Sequence, residues 1–129
     1  MSARSKKGRV ARRNRWLRAE ATREVLVERF PRTFMPKGER KIPLKVGIYQ
    51  DLRIAAPDLS ARKMADALHD YTTGRTYLRA LVAGAHRIDL DGWPEGVVTT
   101  EEAVIAAQTL RDIDARNSPR EAPHAASVA

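Results

Sequence analysis

The 129-residue chain has no cysteine. That excludes disulfides and thiolate metal sites, and it agrees with a reducing compartment, so a cytoplasmic location is expected. Aromatic residues are scarce at 5%, yet a hydrophobic content of 43% suffices for a core. At this length there is room for one domain with flexible ends. No run is long and apolar enough to cross a bilayer. The basic N-terminus is not followed by the apolar stretch of a secretory signal. The three histidines are scattered and no carboxylate pair has metal-ligand spacing, so no catalytic residue, metal or other cofactor is expected. Asp89-x-Asp91-Gly92 is not a calcium loop, because its glycine comes too early and no glutamate follows where that loop requires one.

Acidic residues are missing from positions 1–18, which hold Arg4, Lys6, Lys7, Arg9, Arg12, Arg13, Arg15 and Arg18. The rest of the chain has equal numbers of basic and acidic residues, so the whole net charge of +8 belongs to this segment. A block of one sign is usually disordered and often grips a polyanion. The plainer alternative is a solvated arm that aids solubility. Arginine outnumbers lysine in it, which suits phosphate. Trp16 and Leu17 are its only sizeable apolar anchors, which favours nucleic acid over a membrane surface. We therefore expect a disordered basic arm at 1–18, a domain at 19–116 and a disordered tail at 117–129.

Within the domain, hydrophobic periodicity and breakers mark five helices. The first, at about 16–30, has Leu17, Ala21, Val25, Leu26 and Phe30 on one face and stops at Pro31. The second, about 47–56, buries Leu44, Ile48, Leu52 and Ala55, and leaves Lys45 off that stripe. The third, about 60–71, is capped by Ser60, stapled by Leu59 and Met64, and buries Met64, Ala67, Leu68 and Tyr71. Arg62 and Lys63 sit in its first turn against the helix dipole, where a partner anion would favour them. The fourth, about 74–83, turns Leu78, Leu81 and Val82 inward and ends at Gly84. Arg87-Ile88-Asp89-Leu90 alternates as a strand, and Val97-Val98 returns to make a hairpin. Thr99-x-x-Glu102 is a capping box for the last helix, about 100–116, with Ala103, Ala107, Leu110 and Ile113 inward.

The most informative stretch is Tyr71–Gly92. Its helix entry, Thr72-Thr73-Gly74, leaves backbone N–H groups facing outward as an anion site. Arg75 stands beside it, Tyr77 follows on the helix and Arg87 returns on the strand. Phosphate donors, an aromatic plane and a guanidinium could converge there on a nucleic-acid end. The alternative on spacing alone is that Thr-Gly is a common cap, Tyr77 packs, and Arg87 pairs with Asp89 or Asp91.

In this order the chain resembles the ProQ/FinO family of bacterial RNA chaperones. The matching pieces are Glu28-Arg29-Phe30-Pro31, Pro43-Leu44-Lys45-Val46-Gly47-Ile48 with Asp51-Leu52, Ala67-Leu68 with Tyr71, Tyr77-Leu78, and Gly84 with Arg87-Ile88-Asp89-Leu90-Asp91-Gly92. The resemblance implies a single compact, mainly α domain of about five helices with one or more short β-hairpins and a basic concave face. It implies a non-enzymatic, monomeric RNA-binding protein. Such proteins hold the 3′ ends of structured small RNAs and messengers, favouring a terminator hairpin with a single-stranded U-rich tail, protecting the RNA and in some cases promoting sense–antisense pairing. By position, Tyr77 and Arg87 would form the 3′-end pocket, with Thr72, Thr73, Gly74 and Arg75 at its mouth. Lys45 would meet phosphate on the concave face, with Arg62, Lys63, Arg12, Arg13 and Arg15 adding backbone contacts. Ala65, His69 and Thr76 stand where relatives often carry arginine. The alternative reading is a DNA-binding helix-turn-helix formed by the second and third helices. Against it, the third helix offers no Asn or Gln to read adenine.

Overall fold

A computed structural model of the chain describes residues 5–117. The first helix, α1 (Ser5–Arg29), is followed by α2 (Ile48–Ala55), α3 (Ala61–Thr72), α4 (Arg75–Ala80), β1 (His86–Ile88), β2 (Pro94–Val97) and α5 (Thr100–Asn117). Five helices with one small hairpin match the expected class. Apart from Asn117, the expected C-terminal tail lies outside the described residues.

The first helix differs from expectation at its start and in its face. It runs back through the basic segment to Ser5 instead of beginning at Trp16. Gly8 is the only breaker in that stretch, and arginine and alanine are good helix formers. Residues 9–17 are all exposed on it. Its buried positions are Ala19, Thr22 and Leu26, whereas Leu17 and Ala21 are exposed. Docking on α3 sets this rotation, with Arg23 donating to Asp70 at 2.8 Å. At the other end Arg29 grips Asp58 through two bonds of 2.8 and 2.6 Å.

The core joins Leu26 of α1 to Phe34, Leu44, Ile48, Leu52, Ala56, Met64, Ala67, Tyr71 and Tyr77. Its few aromatics are concentrated here: Phe34 meets Tyr71 edge-on at 5.1 Å, and Tyr71 lies 5.8 Å from Tyr77. Such pairs add about 0.5–1.5 kcal/mol beyond area burial. Tyr71 accepts the Met35 N–H at 2.9 Å, and burial pushes its hydroxyl up to about 12. Arg23 and Lys41 both lie over its ring.

Local signals mostly hold. Ser60 accepts the Lys63 N–H at 3.1 Å. Thr99 and Glu102 cap each other's backbone at 2.9 and 3.1 Å. The inward stripes of three helices shift by a residue or lose an end. On α2, Ala56 is buried and Ala55 exposed, because the chain leaves the helix at Ala56 and turns it inward. On α5 the buried residue is Ala106, while Ala107 faces out. Helix α4 stops at Ala80, since Leu81 takes a non-helical conformation, and Val82 is exposed. Gly84 sits instead in the following turn at φ 84°, donating to the Val98 carbonyl at 2.8 Å. The hairpin pairs His86 with Val97 and Ile88 with Pro94, so its second strand comes earlier than Val97-Val98. Leu44 adds a parallel bridge to Ile88, which makes a third row beside the sheet.

Candidate nucleic-acid interface

Tyr77 and Arg87 do meet, and they meet on the backbone of Leu44. The Tyr77 hydroxyl accepts the Leu44 N–H at 2.9 Å. The Arg87 Nη1 donates to the Leu44 carbonyl at 2.7 Å, and its Nη2 donates to Glu102 Oε1 at 3.0 Å. The same Glu102 oxygen accepts the Thr99 N–H, so the start of α5, β1 and the Leu44 row are tied together. The Thr99 amide and the Arg87 guanidinium hold the Glu102 carboxyl below its ordinary range. Tyr77 is 5% and Arg87 9% exposed. In this structure the tyrosine is therefore a ring of the aromatic core, not an open plane. Arg87 Nε is buried without a hydrogen-bond partner, which leaves one donor of this guanidinium unused.

The expected cap at the mouth of α4 is different. Thr72 and Thr73 donate their hydroxyls back to the Leu68 and His69 carbonyls of α3, at 2.8 and 2.7 Å. Both are spent closing α3, and Gly74 is the N-cap of α4 with no side-chain bond. Arg75 pairs with Asp114 of α5 at 3.0 Å and remains part-exposed. Lys45 donates to Asp51 at 2.7 Å, a bond that raises its pKa. An incoming phosphate must compete with that carboxylate. Arg62 and Lys63 are exposed at the start of α3. Arg12, Arg13 and Arg15 are exposed along α1. Arg12, Arg15 and Trp16 line a groove of about 270 Å³ against Asp66 and His69 of α3.

A second groove, of about 590 Å³, borders the Leu44 clamp. Its rim holds Arg40, Arg79 and His86, with Lys41, Thr76 and Pro43 also in the lining, and no carboxylate lines it. Pro43 and His86 are the chain neighbours of Leu44 and Arg87. The Lys41 ammonium is buried and donates to the Pro36 and Glu39 carbonyls at 3.0 and 2.8 Å. Burial foremost, then the nearby Arg23 charge, lowers its pKa. It stiffens the loop that presents Arg40. Sequence reasoning missed Arg40, Arg79 and His86. Arg79 was accessible to it, being three residues after Thr76 on one helix face. Arg40 reaches the groove only through the tertiary fold. Among the described residues, no group of three or more His, Cys, Asp or Glu could hold a metal ion, and no helix could cross a membrane.

The chain is similar to known proteins in sequence and in fold. A family model described as ProQ/FINO family matches residues 18–123. RNA chaperone ProQ of Haemophilus influenzae is 40% identical over 107 residues, 81% of this chain and 54% of that protein. RNA chaperone ProQ of Aeromonas salmonicida is 43% identical over 90 residues, 67% of this chain and 42% of that protein. The chain thus spans about half the length of the curated relatives it matches. The solution structure of a ProQ homolog from Legionella pneumophila superposes with a TM-score of 0.65 at 31% identity, covering 73% of this chain and 81% of that one. The crystal structure of a FinO-like RNA chaperone from Neisseria meningitidis gives 0.56 at 33% identity, covering 68% and 88%.

Proposed function

Because the chain belongs to the ProQ/FinO family, we propose that it is an RNA-binding protein of the chaperone kind, one that holds the 3′ end of a structured RNA. The single observation that supports this most is the acid-free basic groove beside the Leu44 clamp. A terminator hairpin presents an A-form stem, readable mainly through shape, phosphate and 2′-hydroxyls. Exposed Arg12, Arg13, Arg15, Arg62 and Lys63 supply attraction to such a stem without reading its sequence. The single-stranded tail runs along Arg40, Arg79 and His86, and its last nucleotide reaches the Tyr77–Arg87 region past Gly74 and Arg75. There Arg87 can exchange its Glu102 bond for an oxygen of the terminal nucleotide, and Tyr77 and Lys45 fix the wall that receives it. The preferred partners are small RNAs and messenger 3′ ends with a U-rich tail. Binding there shields the end from exonucleases, and the chain works without catalysis, as a monomer in the cytoplasm.

The test is a competition between a terminator hairpin with a free U-rich 3′ tail and the same RNA circularised or 3′-phosphorylated. The free end should bind about tenfold more tightly, a difference of roughly 1.4 kcal/mol. Equal affinity for all three would remove the end-capture reading. Duplex DNA bound as tightly as the hairpin would instead favour the helix-turn-helix alternative.

A further inference from the structure

The cations of the interface fall into two kinds. Arg40 and Arg79 line the groove beside the Leu44 clamp, and no carboxylate lines that groove. Arg87 and Lys45, at the Leu44 row itself, are each tied to an acid: Arg87 to Glu102 at 3.0 Å and Lys45 to Asp51 at 2.7 Å. A run of phosphates suits the first kind. At the second, an arriving phosphate meets a carboxylate already in place.

The Arg87–Glu102 pair is layered. Arg87 Nη1 is engaged by the Leu44 carbonyl at 2.7 Å, and Nε is buried. The arginine side chain is 11% exposed, whereas the glutamate side chain is 40% exposed. The Nη2 end, beside the more exposed Glu102, is therefore the one open to a ligand, and the ligand meets both groups together. The carboxylate is also fixed in place, because Oε1 accepts the Thr99 N–H at 2.9 Å. That amide and then the guanidinium hold the carboxyl below its ordinary range, which keeps it ionised at neutral pH.

A guanidinium only donates hydrogen bonds and an ionised carboxylate only accepts them. A group that does both can enter between them. A hydroxyl is such a group, accepting from Nη2 and donating to a Glu102 oxygen. A terminal phosphate carries about −1.5 to −2 charges near neutral pH, and its dianion only accepts. It would gain Arg87 and set its own charge against a fixed carboxylate.

We infer that Glu102 is a specificity-determining residue of the end pocket, admitting an RNA end that carries a ribose hydroxyl and turning away one that carries a phosphate. This rests on the end-capture reading above. Arg87 supplies the attraction, and Glu102 supplies the repulsive element that discriminates between ends.

Glu102→Gln tests this, because glutamine can keep the capping bond to Thr99 while losing the charge. Glu101→Gln, one position away and exposed, makes the same change of charge outside the pair. The probes are a terminator hairpin whose U-rich tail ends in a 3′-hydroxyl and the same RNA ending in a 3′-phosphate. Each carries a 5′ fluorescein and is titrated by anisotropy, with circular dichroism checking the fold of each variant. The parent and Glu101→Gln should prefer the hydroxyl end by about tenfold, a modest effect for facing like charges. Glu102→Gln should bring the two RNAs within about threefold of each other, through tighter binding of the phosphorylated one. A preference that stays intact in Glu102→Gln, or that falls only because the hydroxyl-ended RNA binds more weakly, would overturn the role of Glu102 and leave end capture standing. Equal relaxation in Glu101→Gln would do the same, since net charge would then explain the effect. No preference in the parent would overturn end capture and the role of Glu102 together.

Discussion

Replacing Tyr77 with phenylalanine removes one oxygen from the core and leaves the ring in place. That oxygen is the acceptor for the buried Leu44 N–H at 2.9 Å. With no hydroxyl there, the amide keeps its desolvation cost and loses its partner, a penalty of about 1–3 kcal/mol. For a domain of this size each kcal/mol corresponds to roughly 4 °C in Tm, so Tyr77→Phe should melt about 4–12 °C lower. Tyr77→Ala would add a cavity, for a total of about 3–5 kcal/mol. Urea titration followed by far-ultraviolet circular dichroism measures both. RNA affinity should be compared only where each variant is fully folded. Under that condition Tyr77→Phe should bind a terminator hairpin within about threefold of the parent, because the ring wall survives; threefold is roughly 0.65 kcal/mol. Unchanged stability of Tyr77→Phe would refute the reasoning, since the Leu44 clamp would then contribute nothing.

Glu102 is held below the ordinary carboxyl value by the Thr99 amide and then by Arg87. Its contribution is present above the unfolded carboxyl value and is lost as pH falls through the folded one. A melting-temperature profile should therefore fall more steeply on the acid side for the parent than for Glu102→Gln, and coincident profiles would contradict the assignment. Arg87→Ala, binding a hairpin with a free tail about tenfold more weakly while remaining folded, would mark a loss of roughly 1.4 kcal/mol; unchanged affinity would count against the pocket. Removing residues 1–18 should weaken many RNAs alike and flatten the dependence of log K on log salt, each lost phosphate contact reducing the slope by about 0.7–0.9. Arg40→Ala with Arg79→Ala should flatten it by about two such steps, and a slope unmoved by both changes would make groove and arm bystanders.

Much of the architecture was legible from residues a few positions apart. Ser60 and the Thr99–Glu102 box act over three residues, and the sequence states them outright. Helix number, the hairpin, family membership and the placement of net charge at the N-terminus follow from such local patterns and from motif order. Helix faces were read less well. The α1 face turned because Arg23 had to reach Asp70, 47 positions away, and no periodicity count includes that partner. Thr72 and Thr73 looked like the opening of α4, but they close α3, because a hydroxyl can serve the turn behind it as readily as the one ahead.

The amino-acid order alone therefore determined which segments coil, where α3 and α5 start, and which lineage of proteins they join, since caps, breakers and apolar spacing are properties of neighbours. Only the folded chain decided that Tyr77 and Arg87 spend their polar atoms on the two sides of one peptide row, 33 and 43 positions distant. Only the fold brought Arg40 into one groove with Arg79 and His86, and left Trp93 exposed. Which long-range partner a side chain finds is settled by how the elements pack, and packing depends on every other side chain in the core.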